Sequence, residues 1–273
     1  VPLVARDRPG FFARLPLPSR TEGLVILAVL LVTAIAVGIS AWYASTRTPP
    51  VFDPPDDAAA PAPPEPDARA PVLAVYGDWY VSGTEQGGLG PAGWPALVSE
   101  RIGAEATVPH AVAGAGYVAE AATTGDTFPT LAAGAPEPEA DVTIVFGSRN
   151  DYQVPPAAIT AAATQTYETI RAAAPGTVLL VIGPAWTDAA VPAELVPVRD
   201  AVQAAATAAG ATFLDPLTEG WFFDETGLIA ADAISPTDAG HAYLADRIEP
   251  VVRGLLADEP GLDPAVDATE PPP

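Results

Sequence analysis

The sequence contains no cysteine, no lysine and no methionine, and its only imidazoles are His110 and His241. Without Cys there can be no disulfide, no thiolate nucleophile and no Cys-ligated metal. An exported chain of this length can replace disulfide staples with a large core. Two histidines cannot build a His-rich metal centre, so no metal and no cofactor is expected. Basic charge is also scarce: all twelve basic residues are Arg, against a formal net charge of −22. Binding nucleic acid needs a basic surface, which excludes it as a partner. Much of the acidity lies in the tails, so net charge says little about a site. With no Met and Val1 in first place, an alternative start codon or a missing initiator is expected.

What is present divides the chain into segments. Leu24 to Tyr43 carry no charge, and as a helix this run spans about 30 Å, enough for one membrane crossing. Arg6, Arg8, Arg14 and Arg20 precede it and only Arg47 follows closely. The positive-inside rule therefore makes residues 1–23 cytoplasmic, 24–44 a signal-anchor helix and the remainder extracytoplasmic. Trp42 and Tyr43 suit the membrane interface. Signal-peptide cleavage near Ser40 and Ala41, giving a secreted protein, is the competing reading. Residues 45–70 are rich in Pro, Ala and Asp and read as an extended linker. Residues 258–273 form another acidic, Pro-rich segment expected to be disordered.

Residues 71–257 alternate apolar runs with helical stretches. PVLAVYG, ATVPHAV, DVTIVFG, TVLLVIG and ATFLD read as strands. Helices are expected around Pro91–Ile102, Ala157–Ala174, Val196–Ala209 and Ala239–Leu256. DVTIVFG and TVLLVIG are continuous β-branched runs of the kind buried on both faces of a parallel sheet. The alternation predicts a three-layer α/β/α domain with a five-stranded parallel, flavodoxin-like sheet. Ligands of such sheets bind beyond the carboxyl ends of the strands. That is where GDWYVSG and GSRNDY fall.

Acyl transfer on this scaffold requires a nucleophile, a base, an orienting carboxylate and oxyanion donors. The Gly114 amide and the Asn150 side chain are candidate donors, and Asp232 a candidate orienting carboxylate. A nucleophile and a base are the missing parts, since Trp79 follows Gly77-Asp78.

The order of these segments resembles the SGNH/GDSL hydrolases, in particular their exported actinobacterial members. The resemblance runs from about Val72 to Leu255. It rests on Gly77-Asp78-Trp79, Gly114, Ser148-Arg149-Asn150-Asp151 and Asp232-Ala233-Ile234-Ser235-Pro236, with IGPAW and SPTDAGHAYLADRI between and after them. It implies the fold above and an ester-hydrolase or lipase ancestry. The family pattern places its serine at Trp79 and its histidine at Ser235, because Pro236 fixes the register. His241 then falls inside the last helix, about 9 Å further on.

The resemblance therefore implies a catalytically degenerate domain in which Asp78, Trp79, Gly114, Asn150, Asp232 and Ser235 are ancestral-site positions. Whether the chain is an enzyme is left open. One reading is a pseudoenzyme that binds an envelope glycan, an acyl group or a protein through the old cleft. The other is an active hydrolase or acyltransferase with a relocated nucleophile, Ser82, and His241 as base. A structural envelope protein is a third possibility. Tyr80 and Arg149 are cleft candidates, Arg149 facing either an anionic ligand or a salt bridge to Asp151 or Asp78. Asp232 is expected to pair with Ser235 or with backbone.

Overall fold

The computed structural model describes residues 69–258 except 107–109 and 224, together with Thr21 and positions 29–31 and 33–37. Those last positions are helical. The rest of the proposed 24–44 anchor, residues 45–68 of the linker and residues 259–273 lie outside the described residues. Among the described residues no helix is long and apolar enough to cross a membrane.

From Arg69 onward the chain forms one α/β unit. Its strands are β1 (Val72–Gly77), β2 (Glu105–Ala106), β3 (His110–Ala111), β4 (Val142–Phe146), β5 (Val178–Ile182) and β6 (Thr212–Leu214). Its helices are α1 (Trp79–Ser82), α2 (Trp94–Ile102), α3 (Phe128–Gly134), α4 (Pro156–Ala173), α5 (Leu195–Ala208) and α6 (Asp238–Ala257). The sheet order is β2-β1-β4-β5-β6, with β3 also beside β1. Every pairing is parallel. The described residues of the expected second strand, in β2 and β3, both pair with β1, which keeps the sheet at five strand positions.

Alternation along the strands builds the three layers. Ala74, Tyr76, Val145, Leu179 and Val181 face a core closed by Phe128 of α3, Ile159 and Tyr167 of α4, and Val198 and Val202 of α5. Leu73, Val75, Ile144, Phe146, Leu180 and Ile182 face a second core closed by Trp94 and Val98 of α2 and Leu244 and Ile248 of α6. Thr143 is the polar exception in β4, and its hydroxyl meets that of Thr177 at 2.8 Å. With both faces covered, the sheet offers a ligand only its ends. Arg69 closes the amino end by pairing with Asp141 just before β4.

Candidate functional site

At the carboxyl end of β1, Gly77 passes the chain to Asp78, the N-cap of α1. Asp78 is only 1% exposed. Its Oδ1 accepts the Tyr80 amide at 2.9 Å, and its Oδ2 accepts Nδ2 of Asn150 at 2.8 Å. Burial pushes the Asp78 pKa up to about 7, against the opposing pull of the Tyr80 amide, Arg149 and the Asn150 side chain. Helix α1 is a single turn, held by this cap at its start and by Gly83 at its end.

Trp79 opens that turn, where the sequence order expects a nucleophile. Its ring packs against the second core. An added Cβ on Gly114 would lie 4.0 Å from Trp79 Cζ3, so the indole edge reaches the glycine of the second loop. The indole nitrogen is buried and has no hydrogen-bond partner. The neighbouring Tyr80 is buried against Phe146 and Phe222, and its backbone carbonyl accepts Nε1 of Trp94 at 2.7 Å.

The third segment follows β4 as a short turn, Arg149–Asp151, capped by Ser148. Asn150 Nδ2 donates to the Ala115 carbonyl at 2.7 Å as well as to Asp78. An amide has two hydrogens, so both are engaged inside the protein. Asp151 is fully buried and collects the amides of Tyr117, Val118 and Ala119 at 2.7–2.9 Å. This carboxylate builds the second loop from the third. Gly116 permits the approach, because a Cβ there would stand 2.6 Å from Ser148 Oγ and 2.7 Å from Asp151 Oδ1. Neither Asp151 nor Asp78 forms the salt bridge to Arg149 considered above. The Arg149 guanidinium instead lies 4.2 Å from the centre of the Trp186 ring, and its Nη1 donates to the Tyr80 hydroxyl at 3.4 Å.

The fourth segment is a tight loop before α6. Asp232 Oδ1 accepts the amides of Ile234 and Ser235, each at 2.9 Å, and Oδ2 accepts the Ser235 hydroxyl at 2.7 Å. These donors hold the exposed Asp232 below the usual carboxylate range. Its charge in turn adds slightly to the burial that opposes ionisation of Tyr80.

The two rescue candidates stand apart from this network. Ser82 Oγ donates to the Gly83 carbonyl at 3.1 Å. His241 is buried in α6, and its Nδ1 accepts the Trp94 amide at 3.4 Å. Its Nε2 has no partner and lies under Gly88, where a Cβ would approach within 2.0 Å. Burial lowers its pKa to about 4, so it is neutral at physiological pH. Among the described residues no group of three or more His, Asp or Glu converges to hold a metal.

Two residues at this edge, Asp151 and Trp186, carry more of the arrangement than the sequence pattern indicates. Asp151 had a signal in its position, one residue past Asn150 at a strand end and opposite a small-residue loop. Trp186 follows β5 in IGPAW, the next strand over from β4.

Gly-Asp, a loop glycine and Asn-Asp thus meet at the carboxyl edge of the parallel sheet of an α/β domain. The model of the GDSL-like lipase/acylhydrolase family matches residues 75–243. A GDSL lipase of Mycobacterium tuberculosis is 39% identical over 193 residues, covering 68% of this chain and 83% of the relative. The fold is similar to that of the structure of TesA, at TM-score 0.53 and 22% identity over 68% of this chain and 99% of that one. It is also similar to a carbohydrate esterase family 2 enzyme from Corynascus thermopiles (Myceliophthora fergusii), at TM-score 0.58 and 19% identity over 72% and 69% of the two chains. The chain belongs to the GDSL-like lipase/acylhydrolase family.

Proposed function

We propose that this domain is a family member without serine-esterase activity, whose old cleft serves binding or an accessory role in the cell envelope. The observation that carries the reading is Trp79, which stands at the nucleophile position with its indole against Gly114. An indole is neither a nucleophile nor a proton carrier here. Ser235 holds the position of the base and gives its hydroxyl to Asp232, while Asn150 spends both amide hydrogens on Asp78 and Ala115. Losing one member of a catalytic triad typically removes several orders of magnitude in rate, and here two are replaced. The lipase activity named for the mycobacterial relative is therefore not carried over.

The ligand in this reading is an envelope glycan, an acyl group or a protein. The domain stands outside the membrane, held by the apolar segment 24–44, or is released if that segment is cleaved. The test is turnover of short-chain aryl esters by the purified protein. The expected rate equals that of buffer. Turnover that disappears in Asn150→Ala would overturn the reading in favour of an active hydrolase.

A further inference from the structure

Among the described residues Arg149 forms no ion pair, although its charge reaches the buried Asp78, in a chain of net charge −22. Among the described arginines, Arg69, Arg101, Arg199 and Arg253 are held in ion pairs, whereas Arg149, Arg171 and Arg247 are not; of these three only Arg149 follows the carboxyl end of a strand. Among the described residues Arg149 makes one hydrogen bond, to the Tyr80 hydroxyl at 3.4 Å, and no ion pair. The two acidic side chains nearest in sequence and function are already occupied. Asp151 serves the amides of Tyr117, Val118 and Ala119, and Asp78 serves the Tyr80 amide and Asn150.

The guanidinium is nevertheless positioned. Its carbon lies 4.2 Å from the Trp186 ring centre, a distance at which a cation is attracted to the indole face. It is only partly buried, as is Trp186. A guanidinium placed over an aromatic ring retains N–H donors in its own plane, where they match the two oxygens of a carboxylate or phosphate. Both residues stand at the carboxyl edge of neighbouring strands, where ligands of parallel α/β sheets bind.

We propose that Arg149, seated over Trp186 and beside Tyr80, is an anion-recognition site that takes a carboxylate or phosphate group carried by the ligand of this cleft. The inference rests on the binding role proposed above and supplies the chemical class of its ligand. A carboxylate would come from an acidic sugar and a phosphate from a phosphorylated one.

The test is ligand-observed NMR relaxation with the full-length chain in nonionic detergent. The probes are D-glucuronate and D-glucose, followed by proton signals, and inorganic phosphate, followed by phosphorus signals. Saturable binding of glucuronate or phosphate is expected, with none for glucose, and the anion that binds identifies the source. Arg149→Gln should weaken that binding about tenfold or more, the scale of one charge-assisted hydrogen bond. Trp186→Phe keeps a ring under the guanidinium and should retain most of it. The thermal midpoint of each variant checks folding.

Failure of both anions to bind, equal binding of glucose, or native-like binding by Arg149→Gln would overturn the site. Ester turnover in the same preparation separates the two claims. Turnover together with anion binding overturns the loss of catalysis alone, whereas an inert protein that binds no anion overturns the anion site alone.

Discussion

Trp79 and Trp94 line the same core, yet replacing each by Phe should have different consequences. Trp94 is fully buried and its Nε1 donates to the Tyr80 carbonyl at 2.7 Å. In Trp94→Phe that buried carbonyl loses its donor, which costs about 1–3 kcal/mol. The missing ring atoms leave a small cavity that adds about 1 kcal/mol. The expected loss is therefore about 2–4 kcal/mol. Trp79→Phe loses similar ring atoms at a partly exposed position, but it also removes a buried indole N–H that has no partner. Relief of that unpaired donor, about 1–3 kcal/mol, offsets the packing loss. The variant should lie within about 1 kcal/mol of the native protein. Urea unfolding followed by far-UV circular dichroism measures both without relying on tryptophan emission. If Trp79→Phe costs as much as Trp94→Phe, the Trp79 N–H has a partner in solution, and the contrast drawn between the two indoles is refuted.

Asn150→Ala removes both side-chain bonds and leaves Asp78 Oδ2 buried without its donor, an expected loss of about 2–4 kcal/mol. The loss should be larger at pH 8, where Asp78 is ionised, than at pH 5, as urea midpoints at the two values will report. Asp78 and His241 impose opposite pH dependences. The Asp78 pKa is raised from 3.8 to about 7, so its contribution to stability is present at low pH and is lost as pH rises toward 7. The His241 pKa is lowered from 6.5 to about 4, so its contribution is present above 6.5 and is lost as pH falls toward 4. Relative to the native protein, the thermal midpoint of His241→Gln should therefore decline more steeply from pH 4 to 6.5. Finally, Trp79→Ser combined with Ser235→His places a hydroxyl after Asp78 and an imidazole where Asp232 already meets residue 235. The double variant should hydrolyse aryl esters at least about tenfold faster than the native protein, with each single variant inert. A double variant as inert as the singles would show that the two side chains are not what the cleft lacks.

The parts of the fold that were legible in the sequence are those where burial repeats residue after residue. Val142–Phe146 and Val178–Ile182 read as strands because both faces of the sheet are covered. The long helices α4, α5 and α6 were found within a residue of their bounds, each by one apolar face. The described residues of the expected second strand, 105–106 and 110–111, both pair with β1. Helices α1 and α3 were not expected. They are too short for a period to show, and they depend on caps from Asp78 and Thr127.

Much of the site was legible by order, since Asp78, Gly114, Asn150 and Asp232 follow strand or loop ends in sequence. How their hydrogen bonds are spent was not legible. Asn150 meets Asp78 across 72 positions, and Asp151 meets Val118 across 33. Pairings at such separations leave no local pattern, and only the folded sheet brings them together. The stacking of Arg149 on Trp186 is of the same kind.

The central claim, that catalysis by serine has been lost, is tested most directly by exposing the native protein to a fluorophosphonate probe and mapping any adduct by mass spectrometry. An activated serine would be covalently phosphonylated, whereas an ordinary hydroxyl such as Ser82 on its Gly83 carbonyl would not. No labelled serine is expected in the folded protein. Stoichiometric labelling of one serine, at Ser82 or Ser235, would contradict it.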